Sequence, residues 1–444
     1  MKKKLKPGEY VTVTSMLFGL FFGAGNLIFP ALMGQMAGRN IWQAVAGFLI
    51  TGVGLPLLGV AALGISRCDG LAELSGRVGR RYSLFFTCAL YLTIGPFFAI
   101  PRCATVSFAV GIEPIVGHSP LALPLFSAVF FAAVLFFCQR PSGILTWVGR
   151  VLNPVFLFSL GILVIRALLS PMGAISEAAP AESYSQAAFF TGFVEGYNTM
   201  DALAGLAFGI IVVTVIKQLG VTEPEDVAAS TVKAGVFNCL LMGVIYVAVS
   251  VVGAQSRGAY PICGNGGQVL SLVAEHYFGR AGALILAVTV TFACLKTAVG
   301  LITSCGETFA KLFPRAMTYS AWVTVFCGVS MLIANLGLNA IISCSLPVLM
   351  FLYPLAITLI LLSLCSKLFG GDRAVYVSVS AFTAAAALLD FFKALPEAVR
   401  GLLRLDALVS AAGRFLPLFE LGLGWLLPAA VGLAVGLVIH WRRS

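Results

Sequence analysis

The stretch Phe18-Gly-Leu-Phe-Phe-Gly-Ala-Gly-Asn-Leu-Ile-Phe-Pro30 lies inside an apolar segment that runs from Tyr10 to Ala37. A segment of this length crosses a bilayer, which takes roughly 20 apolar residues. Its centre nevertheless carries Gly23, Gly25 and Asn26 ahead of the proline, and Gly and Pro weaken or break a helix. Backbone groups freed at membrane depth are tolerated only when they are buried in protein or line a wet cavity. The stretch therefore predicts either a binding site for an ion and a small polar solute or a glycine-rich packing face.

The composition of the whole chain indicates a membrane protein. Of its 444 residues, 59% are hydrophobic and only 10% are charged, whereas soluble domains carry about 25% charged residues. Apolar segments of spanning length recur from end to end, which predicts an all-α membrane protein with one transmembrane domain, residues 1–444, surrounded by the lipid bilayer. The net charge of +10 does not require a nucleic-acid partner, because basic residues on cytoplasmic loops orient such proteins in the membrane.

The cysteines and histidines do not form the sequence patterns of a metal site or an enzyme. Most of the eleven Cys lie inside apolar segments, without a CxxC pair or a His-rich cluster, so we expect small buried hydrophobic side chains rather than zinc ligands or disulfides. The three His lie near segment ends, and neither HExxH nor GxSxG occurs. We therefore expect no enzymatic activity and no cofactor, and we infer no obligate protein partner.

Twelve membrane spans account for the sequence, and the basic N-terminus is interpreted as the flank of a retained first span. With the N-terminus inside, eighteen Lys and Arg residues fall on the inner side and seven on the outer side, which predicts that both termini are cytoplasmic. The predicted spans are 10–37, 41–65, 82–111, 121–138, 146–169, 189–215, 232–254, 279–309, 317–335, 339–365, 374–393 and 420–441.

A second interrupted span occurs at the sixth position, where Gly192–Gly209 carries Gly196, Asn198 and Asp201. Spans one and six are five helices apart, and because five is odd the two halves of the chain run in opposite directions through the membrane. Paired interruptions at corresponding positions are typical of inverted-repeat transporters with the site between the repeats. We therefore expect unwound backbone near 23–26 and near 199–204, with the two stretches facing each other at mid-membrane.

Three charged residues are predicted to lie deep in the membrane, where charges are costly and commonly functional. Arg102 lies in the middle of span three, Asp201 in the interruption of span six, and Lys296 near the middle of span eight. Each could instead form a buried ion pair that holds helices together. For Asp201 and Lys296 the position near the predicted site favours a functional role, whereas for Arg102 both interpretations stay open.

The needs of a zwitterionic amino acid match these elements. Its carboxylate requires free N–H groups at the positive N-terminus of a half-helix, and its ammonium requires carbonyls or a carboxylate. A sodium ion requires hard oxygen ligands. The candidate substrate residues are Gly23, Ala24, Gly25, Asn26, Leu27, Tyr197, Thr199 and Asp201, and the candidate ion ligands on this argument are Asn26, Thr199, Asn238 and Thr297.

Three stretches of the chain resemble the branched-chain amino acid:cation symporters, which are bacterial carriers of leucine, isoleucine and valine. They are Leu17–Pro30, Gly95–Arg102 and Glu195–Ile211. The resemblance covers most of the chain and implies membership of the amino acid–polyamine–cation superfamily with a LeuT-type fold. It implies a five-plus-five inverted repeat, residues 1–170 and 186–366, with two additional helices in 374–441. It also implies symport driven by Na⁺ or H⁺ in the bacterial inner membrane.

The same resemblance implies a coupling-ion site between spans one and eight. In LeuT-type transporters span eight supplies a backbone carbonyl and two adjacent hydroxyls there. The corresponding residues are Ala293 for the carbonyl and Lys296-Thr297 for the hydroxyl pair. Lys296 departs from the pattern, because an ammonium group places positive charge where a sodium ion would bind and could replace it.

Other functions remain open on the sequence alone. A carrier of the same fold for another amino acid, a nucleobase or a cation fits the same pattern. A channel is a further alternative, although we find no selectivity motif. The preference among leucine, isoleucine and valine, the coupling ion and the oligomeric state are not determined by these residues.

Overall fold

The computed structural model describes residues 4–66, 68, 70–117, 119–139 and 153–443, and helices dominate this part of the chain. Helices form here because an apolar segment in lipid must satisfy its backbone hydrogen bonds internally. No β-strand occurs among the described residues. The α-helices are α1 Pro7–Phe21, α2 Gly25–Ala37, α3 Ile41–Leu49, α4 Leu55–Ser66, α5 Leu71–Gly76, α6 Arg80–Leu92, α7 Ala99–Gly111, α8 Glu113–Val116, α9 Ala122–Cys138, α10 Asn153–Leu169, α11 Glu182–Ser185, α12 Ala188–Glu195, α13 Asp201–Gln218, α14 Pro224–Gln255, α15 Gly266–Leu312, α16 Tyr319–Ala334, α17 Leu338–Leu364, α18 Arg373–Ala394, α19 Glu397–Leu402, α20 Asp406–Phe415 and α21 Leu426–Arg443.

Many of these helices are long and apolar enough to cross a bilayer. Seven segments of the described residues qualify, and an eighth qualifies if the two bent parts of α13 are counted as one span. The helices α9 and α16 and the part of α10 from Leu157 to Leu169 are apolar but shorter. The protein is therefore a multi-pass helical membrane protein. The seven segments are Gly25–Ser66, Arg80–Gly111, Glu225–Gly258, Gly266–Leu312, Leu338–Leu364, Arg373–Ala394 and Leu426–Arg443.

The helix ends near the two predicted interruptions differ from the expected positions. Helix α1 ends at Phe21 and α2 begins at Gly25, so Gly25 and Asn26 already belong to a helix. Helix α12 ends at Glu195, a 3₁₀ turn covers Gly196–Thr199, and residues 201–204 are helical. Met200 joins the turn to α13 in the left-handed region with φ 62°, a conformation that is uncommon for residues other than glycine. The proline expected to disrupt the first span lies inside α2.

Several predicted loops contain helix. The predicted loop 255–278 contains the first part of α15, which begins at Gly266 and changes direction at Gly279, where φ is 60°. The predicted loop 394–419 contains α19 and α20, and α14 begins eight residues before the predicted start at 232. Charged and polar residues at the membrane surface can continue a helix beyond its apolar part, so hydropathy underestimates helix length there. Residues 146–152 of the fifth predicted span lie outside the described residues.

Glycines bring the first, second, sixth and seventh predicted spans into backbone contact. A Cβ atom on Gly34 of α2 would lie 1.9 Å from the Ser250 carbonyl oxygen of α14. One on Gly47 of α3 would lie 2.0 Å from the Phe189 oxygen of α12. One on Gly205 of α13 would lie 2.7 Å from the Pro56 oxygen of α4. Small residues allow helices in lipid to approach this closely. We call these three contacts the glycine seams.

The remaining helices pack beside this group. Helix α7 lies against α15, and Gly111 and Ala287 are in close contact between them. Helix α18 packs on α21, where a Cβ on Gly436 would lie 2.7 Å from the Cα atom of Val375. His440 near the end of α21 contacts the carboxylate of Asp372 at 2.8 Å. The two C-terminal helices therefore pack against each other, and α18 also packs against α17.

We expect the glycine seams to be intolerant of even one methyl group. Gly192 of α12 belongs to the same α3–α12 seam as Gly47, because a Cβ there would lie 2.0 Å from the Ala44 oxygen of α3. A Cβ on Gly328 of α16, in contrast, would meet nothing within 4 Å. Gly192→Ala should lower the melting temperature of the detergent-purified protein by about 2–6 °C. Gly328→Ala should leave it unchanged or raise it, because alanine favours helix. Equal melting temperatures for the two variants would contradict the seam.

Candidate substrate and ion site

A cavity of about 40 Å³ lies where the end of α1, the start of α2 and the start of α13 come together with α7 and α15. This volume accommodates only a few water-sized molecules, whereas small-molecule sites are commonly about 300–1,000 Å³. In this conformation the cavity is therefore too small to hold an amino acid. It is lined by Leu20, Phe21, Gly23, Ala24, Gly25, Asn26, Ile94, Ala99, Arg102, Cys103, Thr199, Met200, Asp201, Ala204, Phe208, Thr297 and Leu301.

Asn26 connects the two interruptions. Its side-chain oxygen accepts a hydrogen bond of 2.7 Å from the Gly23 N–H, and its amide nitrogen donates one of 2.7 Å to Asp201 Oδ2. The same nitrogen contacts the hydroxyl of Tyr246, which donates to the same carboxylate oxygen at 2.5 Å. All three side chains are buried. A buried polar group needs such partners, so this network holds the starts of α2 and α13 next to α14.

Two helix N-termini point at the cavity, one at Gly25 and the other at Asp201. The first N–H groups of a helix have no partner within the helix, and the helix dipole makes its N-terminus positive. At α13 the Asp201 N–H donates to the Thr199 hydroxyl at 3.3 Å, and that hydroxyl donates to the Gly196 carbonyl at 2.9 Å. The Asp201 carboxylate itself adds negative charge at the start of α13. The cavity thus offers N–H donors and a carboxylate acceptor close together.

Arg102 brings a third charged element, from α7. Its side chain is 2% exposed, with Nη1 donating to the Asn198 carbonyl at 2.7 Å and Nη2 to the Met200 sulfur at 3.2 Å. The guanidinium carbon lies 5.0 Å from the centre of the Phe29 ring, a cation–π distance. The backbone at Gly95 departs from helical geometry ahead of α7, with φ −97° and ψ −126°. Arg102 therefore links span three to the interruption of span six.

Three oxygens lie together between α1 and α15. The Thr297 hydroxyl is 3.1 Å from the Ala293 carbonyl oxygen and 3.3 Å from the Phe22 carbonyl oxygen. Neutral oxygens of this kind suit a hard cation. Among the described residues no group of three or more His, Cys, Asp or Glu could hold a metal ion. A monovalent ion fits this neutral set better than a divalent one, since divalent sites normally include carboxylates.

The structure brings together some of the residues predicted from the sequence and separates others. Leu27 is buried outside the cavity lining, and the Tyr197 ring stacks on Tyr353 with 4.1 Å between ring centres. Asn238 donates to Met242 within α14, away from the cavity. Lys296 is 8% exposed and does not line the cavity. The predicted residues that line it are Gly23, Ala24, Gly25, Asn26, Thr199, Asp201 and Thr297.

Two prominent residues of this region were absent from the predicted set. Tyr246 lies within the uninterrupted helix α14, so no local glycine or proline indicates that its hydroxyl reaches Asp201. Arg102 was visible as an intramembrane charge, but neither its contact with the Asn198 carbonyl nor its place in the cavity follows from sequence spacing. A buried charge close to two helix interruptions was the available signal for Arg102.

We expect Asn26 and Tyr246 to be energetically coupled. Asn26→Leu leaves the Gly23 N–H and a carboxylate oxygen short of a partner, which costs about 1–3 kcal/mol per buried group. Tyr246→Phe should then cost less in the Asn26→Leu background than in the wild type, with a coupling energy of about 0.5–3 kcal/mol. Melting temperatures of the four proteins measure this coupling.

The matched control is Tyr82→Phe, which removes a buried hydroxyl of α6 that takes no part in the Asn26 network. Its effect should be the same in the wild type and in the Asn26→Leu background. If Tyr246→Phe also lowers stability by the same amount in both backgrounds, the network does not couple Tyr246 to Asn26.

Solved structures that share the fold of this chain include the following two. They are two conformations of Mhp1, a nucleobase-cation-symport-1 family transporter. The closed form with bromovinylhydantoin bound has a TM-score of 0.61, with 16% identity, and covers 97% of this chain and 91% of its own. The inward-facing form has a TM-score of 0.62, with 14% identity, and covers 99% and 95%. At these identities the likeness concerns the fold alone.

Sequence relatives are much closer. A branched-chain amino acid permease BrnQ of Lactobacillus delbrueckii subsp. lactis is 53% identical over 98% of this chain and 97% of its own length. BrnQ of Bacillus subtilis is 41% identical over 100% and 99%. The branched-chain amino acid transport system 2 carrier protein of Pseudomonas aeruginosa is 40% identical over 98% and 96%. These relatives are named as permeases and carriers, not as enzymes.

A family model described as branched-chain amino acid transport protein matches residues 6–443, which is nearly the whole chain. The match includes both helix interruptions and the cavity between them. With the full-length similarity to the permeases, it shows that this chain belongs to the branched-chain amino acid transport protein family.

Proposed function

We propose that the protein is a secondary active symporter that imports leucine, isoleucine and valine across the bacterial inner membrane by alternating access, driven by a Na⁺ or H⁺ gradient. The observation that carries the proposal is that two helix N-termini, at Gly25 and Asp201, meet at one buried cavity. Family membership supplies the substrate class. The proposal includes a LeuT-type arrangement of twelve spans, with spans one and six broken and both termini in the cytoplasm.

The cavity has a place for each part of an α-amino acid. The N–H groups of Ala24, Gly25 and Asn26 at the start of α2 would bind the carboxylate, as N-termini bind anions elsewhere. The Asp201 carboxylate would accept from the ammonium group. The branched side chain would lie against apolar lining residues, which are Leu20, Phe21, Ile94, Phe208 and Leu301.

Transport requires this cavity to change size. At about 40 Å³ it is far below the volume of common ligand sites, so an incoming amino acid must widen it. Widening separates the starts of α2 and α13 from α7 and α15, which line its opposite walls. A site that opens in turn to each side of the membrane and closes between is what alternating access requires.

The coupling ion has its own candidate site at the oxygens of Phe22, Ala293 and Thr297. Lys296 is adjacent in sequence to Thr297 on α15 and is buried. We propose that its ammonium group occupies or borders the place of a sodium ion, binding carbonyls at the end of α1. A positive charge there would reduce the need for Na⁺ and leave transport more dependent on the proton gradient.

We expect uptake of the three amino acids to be saturable and mutually competitive, and to depend on the start of α2. A Cβ on Gly25 would meet Phe29 and Thr199 atoms at 3.5 Å, an ordinary contact, so Gly25→Ala should retain uptake within a few fold. Gly25→Leu places a large side chain over the N–H groups and should reduce uptake at least about tenfold, which corresponds to about 1.4 kcal/mol. Counterflow in proteoliposomes with a panel of radiolabelled solutes measures both.

Equal expression of the two variants controls for folding. Undiminished uptake by Gly25→Leu would exclude this part of the proposal. Uptake of another amino acid or a nucleobase in preference to leucine would indicate the same fold with a different substrate.

We expect Lys296→Thr to increase the dependence of uptake on Na⁺, because it restores a hydroxyl beside Thr297 and removes the competing ammonium group. The measurement imposes Na⁺ and pH gradients separately on proteoliposomes. Strong stimulation of the wild type by Na⁺ alone, unchanged by Lys296→Thr, would refute the role of the ammonium group and leave the symporter proposal standing.

A further inference from the structure

Arg102 is a buried cation that the proposed function does not yet use. It lies in the first turns of α7, lines the cavity and is 2% exposed. Among the described residues it forms no ion pair within 4 Å, and its Nε atom has no hydrogen-bond partner. Glu195 and Asp201 attract the guanidinium electrostatically, but a buried charge without a hydrogen-bonded ion pair still carries a large desolvation cost. Its environment is therefore incomplete in this conformation.

The hydrogen bonds of Arg102 divide into two kinds. Nη1 donates to the Asn198 carbonyl at 2.7 Å, a strong backbone contact that steadies the interruption of span six. Nη2 donates to the Met200 sulfur at 3.2 Å, and a thioether is a weak acceptor. Nη1 thus has a strong structural contact, whereas Nη2 has a weak acceptor and Nε has no hydrogen-bond partner among the described residues.

Met200 is suited to be displaced. Its backbone is in the left-handed region with φ 62°, at the junction between the 3₁₀ turn and α13. Its side chain is unbranched and flexible, and methionine adapts to changes in its surroundings more readily than other apolar residues. Exchanging its sulfur for a charged acceptor would give Arg102 a much stronger hydrogen bond.

The group that fits this part of Arg102 is a carboxylate. Guanidinium binds carboxylates through two parallel hydrogen bonds, a geometry that lysine does not reproduce. The same cavity is lined by Gly25 and Asn26 at the start of α2, so one carboxylate would receive donors from both sides. Asp201 also lines the cavity, but its Oδ2 atom already accepts hydrogen bonds from Asn26 and Tyr246. Most of the remaining lining consists of rings and aliphatic groups, which do not accept hydrogen bonds from the guanidinium.

We propose that Arg102 binds the carboxylate of the transported amino acid, and that this carboxylate displaces the Met200 sulfur from Nη2. The inference rests on the proposed function and specifies how its substrate is selected. The carboxylate becomes the decisive group for binding, so an amide or amine of the same carbon skeleton is rejected even though it retains the branched chain and the ammonium group.

The test compares ligands that differ only in the carboxylate. Leucine, leucinamide and 3-methylbutylamine compete against radiolabelled leucine for the purified full-length protein. The wild type should bind leucine about 10- to 150-fold more tightly than leucinamide, the range expected for a hydrogen bond to a charged group. Arg102→Gln should lower the affinity for leucine by a similar factor and change the affinity for leucinamide less than threefold. The preference for leucine over leucinamide should then disappear. Competition needs radiolabelled leucine to bind, and its affinity falls in this variant. The affinity of each ligand is therefore also measured directly by isothermal titration calorimetry.

Two further variants separate substrate contact from structural support. Met200→Leu keeps the size of the side chain but removes the thioether acceptor, and leucine should bind it as tightly as the wild type or several fold more tightly. Arg166→Gln changes an exposed arginine of α10 outside the cavity, and should leave both ligands unaffected.

Each outcome has one meaning. A preference for leucine over leucinamide that survives Arg102→Gln, or a loss of both ligands together, would overturn the proposal and leave Arg102 as structural support. Should Arg102→Gln fail to fold, Met200→Leu decides, since a more than threefold loss of leucine affinity contradicts displacement of the sulfur. If the wild type binds no leucine at all, the proposed function fails instead.

Discussion

The hydrogen bond from Asn26 to Asp201 joins two places where the chain leaves regular helix inside a membrane protein. Backbone groups freed at such places cannot rely on lipid for partners. Asn26 supplies a partner at each interruption. Its side chain accepts a hydrogen bond from the Gly23 N–H and donates one to the carboxylate of Asp201, the first residue of α13. Tyr246 closes the network from α14. These contacts hold the two interruptions against each other and help to fix the walls of the cavity between them.

The sequence predicts where the cavity lies better than it predicts which residues line it. Glycines and an asparagine in apolar segments are local signals, so Gly23–Asn26 and the region of Asp201 could be identified without coordinates. The exact helix ends could not, because Gly25 and Asn26 begin a helix rather than continue an unwound stretch. Pro30 is tolerated inside α2, and glycine and proline mark a region of weakness rather than a specific boundary.

Contacts between distant parts of the chain account for the remaining differences. Tyr246 is 220 residues from Asn26, with which it shares a contact, and its own helix gives no sign of that role. Asn238 is a predicted ion ligand on the same helix, but its side chain turns toward Met242. The rotation of a helix about its axis decides which of its polar residues faces the site. Hydropathy that is high on all faces, as in a buried membrane helix, carries little information about that rotation.

The glycine seams also determine where the molecule can bend. Helices whose backbones touch cannot slide past each other, because neither partner has side chains at the contact that could adopt new rotamers. The contacts at Gly34, Gly47 and Gly205 consequently hold α2 against α14, α3 against α12 and α4 against α13 as stiff pairs. The part of α15 after its bend at Gly279 meets α1 through a side chain, as Gly23 meets Thr297, and side chains can repack. The part before the bend has a backbone contact of its own, between Gly266 and Ile28 of α2. The cavity is thus bordered both by stiff backbone contacts and by side chains of α7 and α15 that have room to adopt other rotamers.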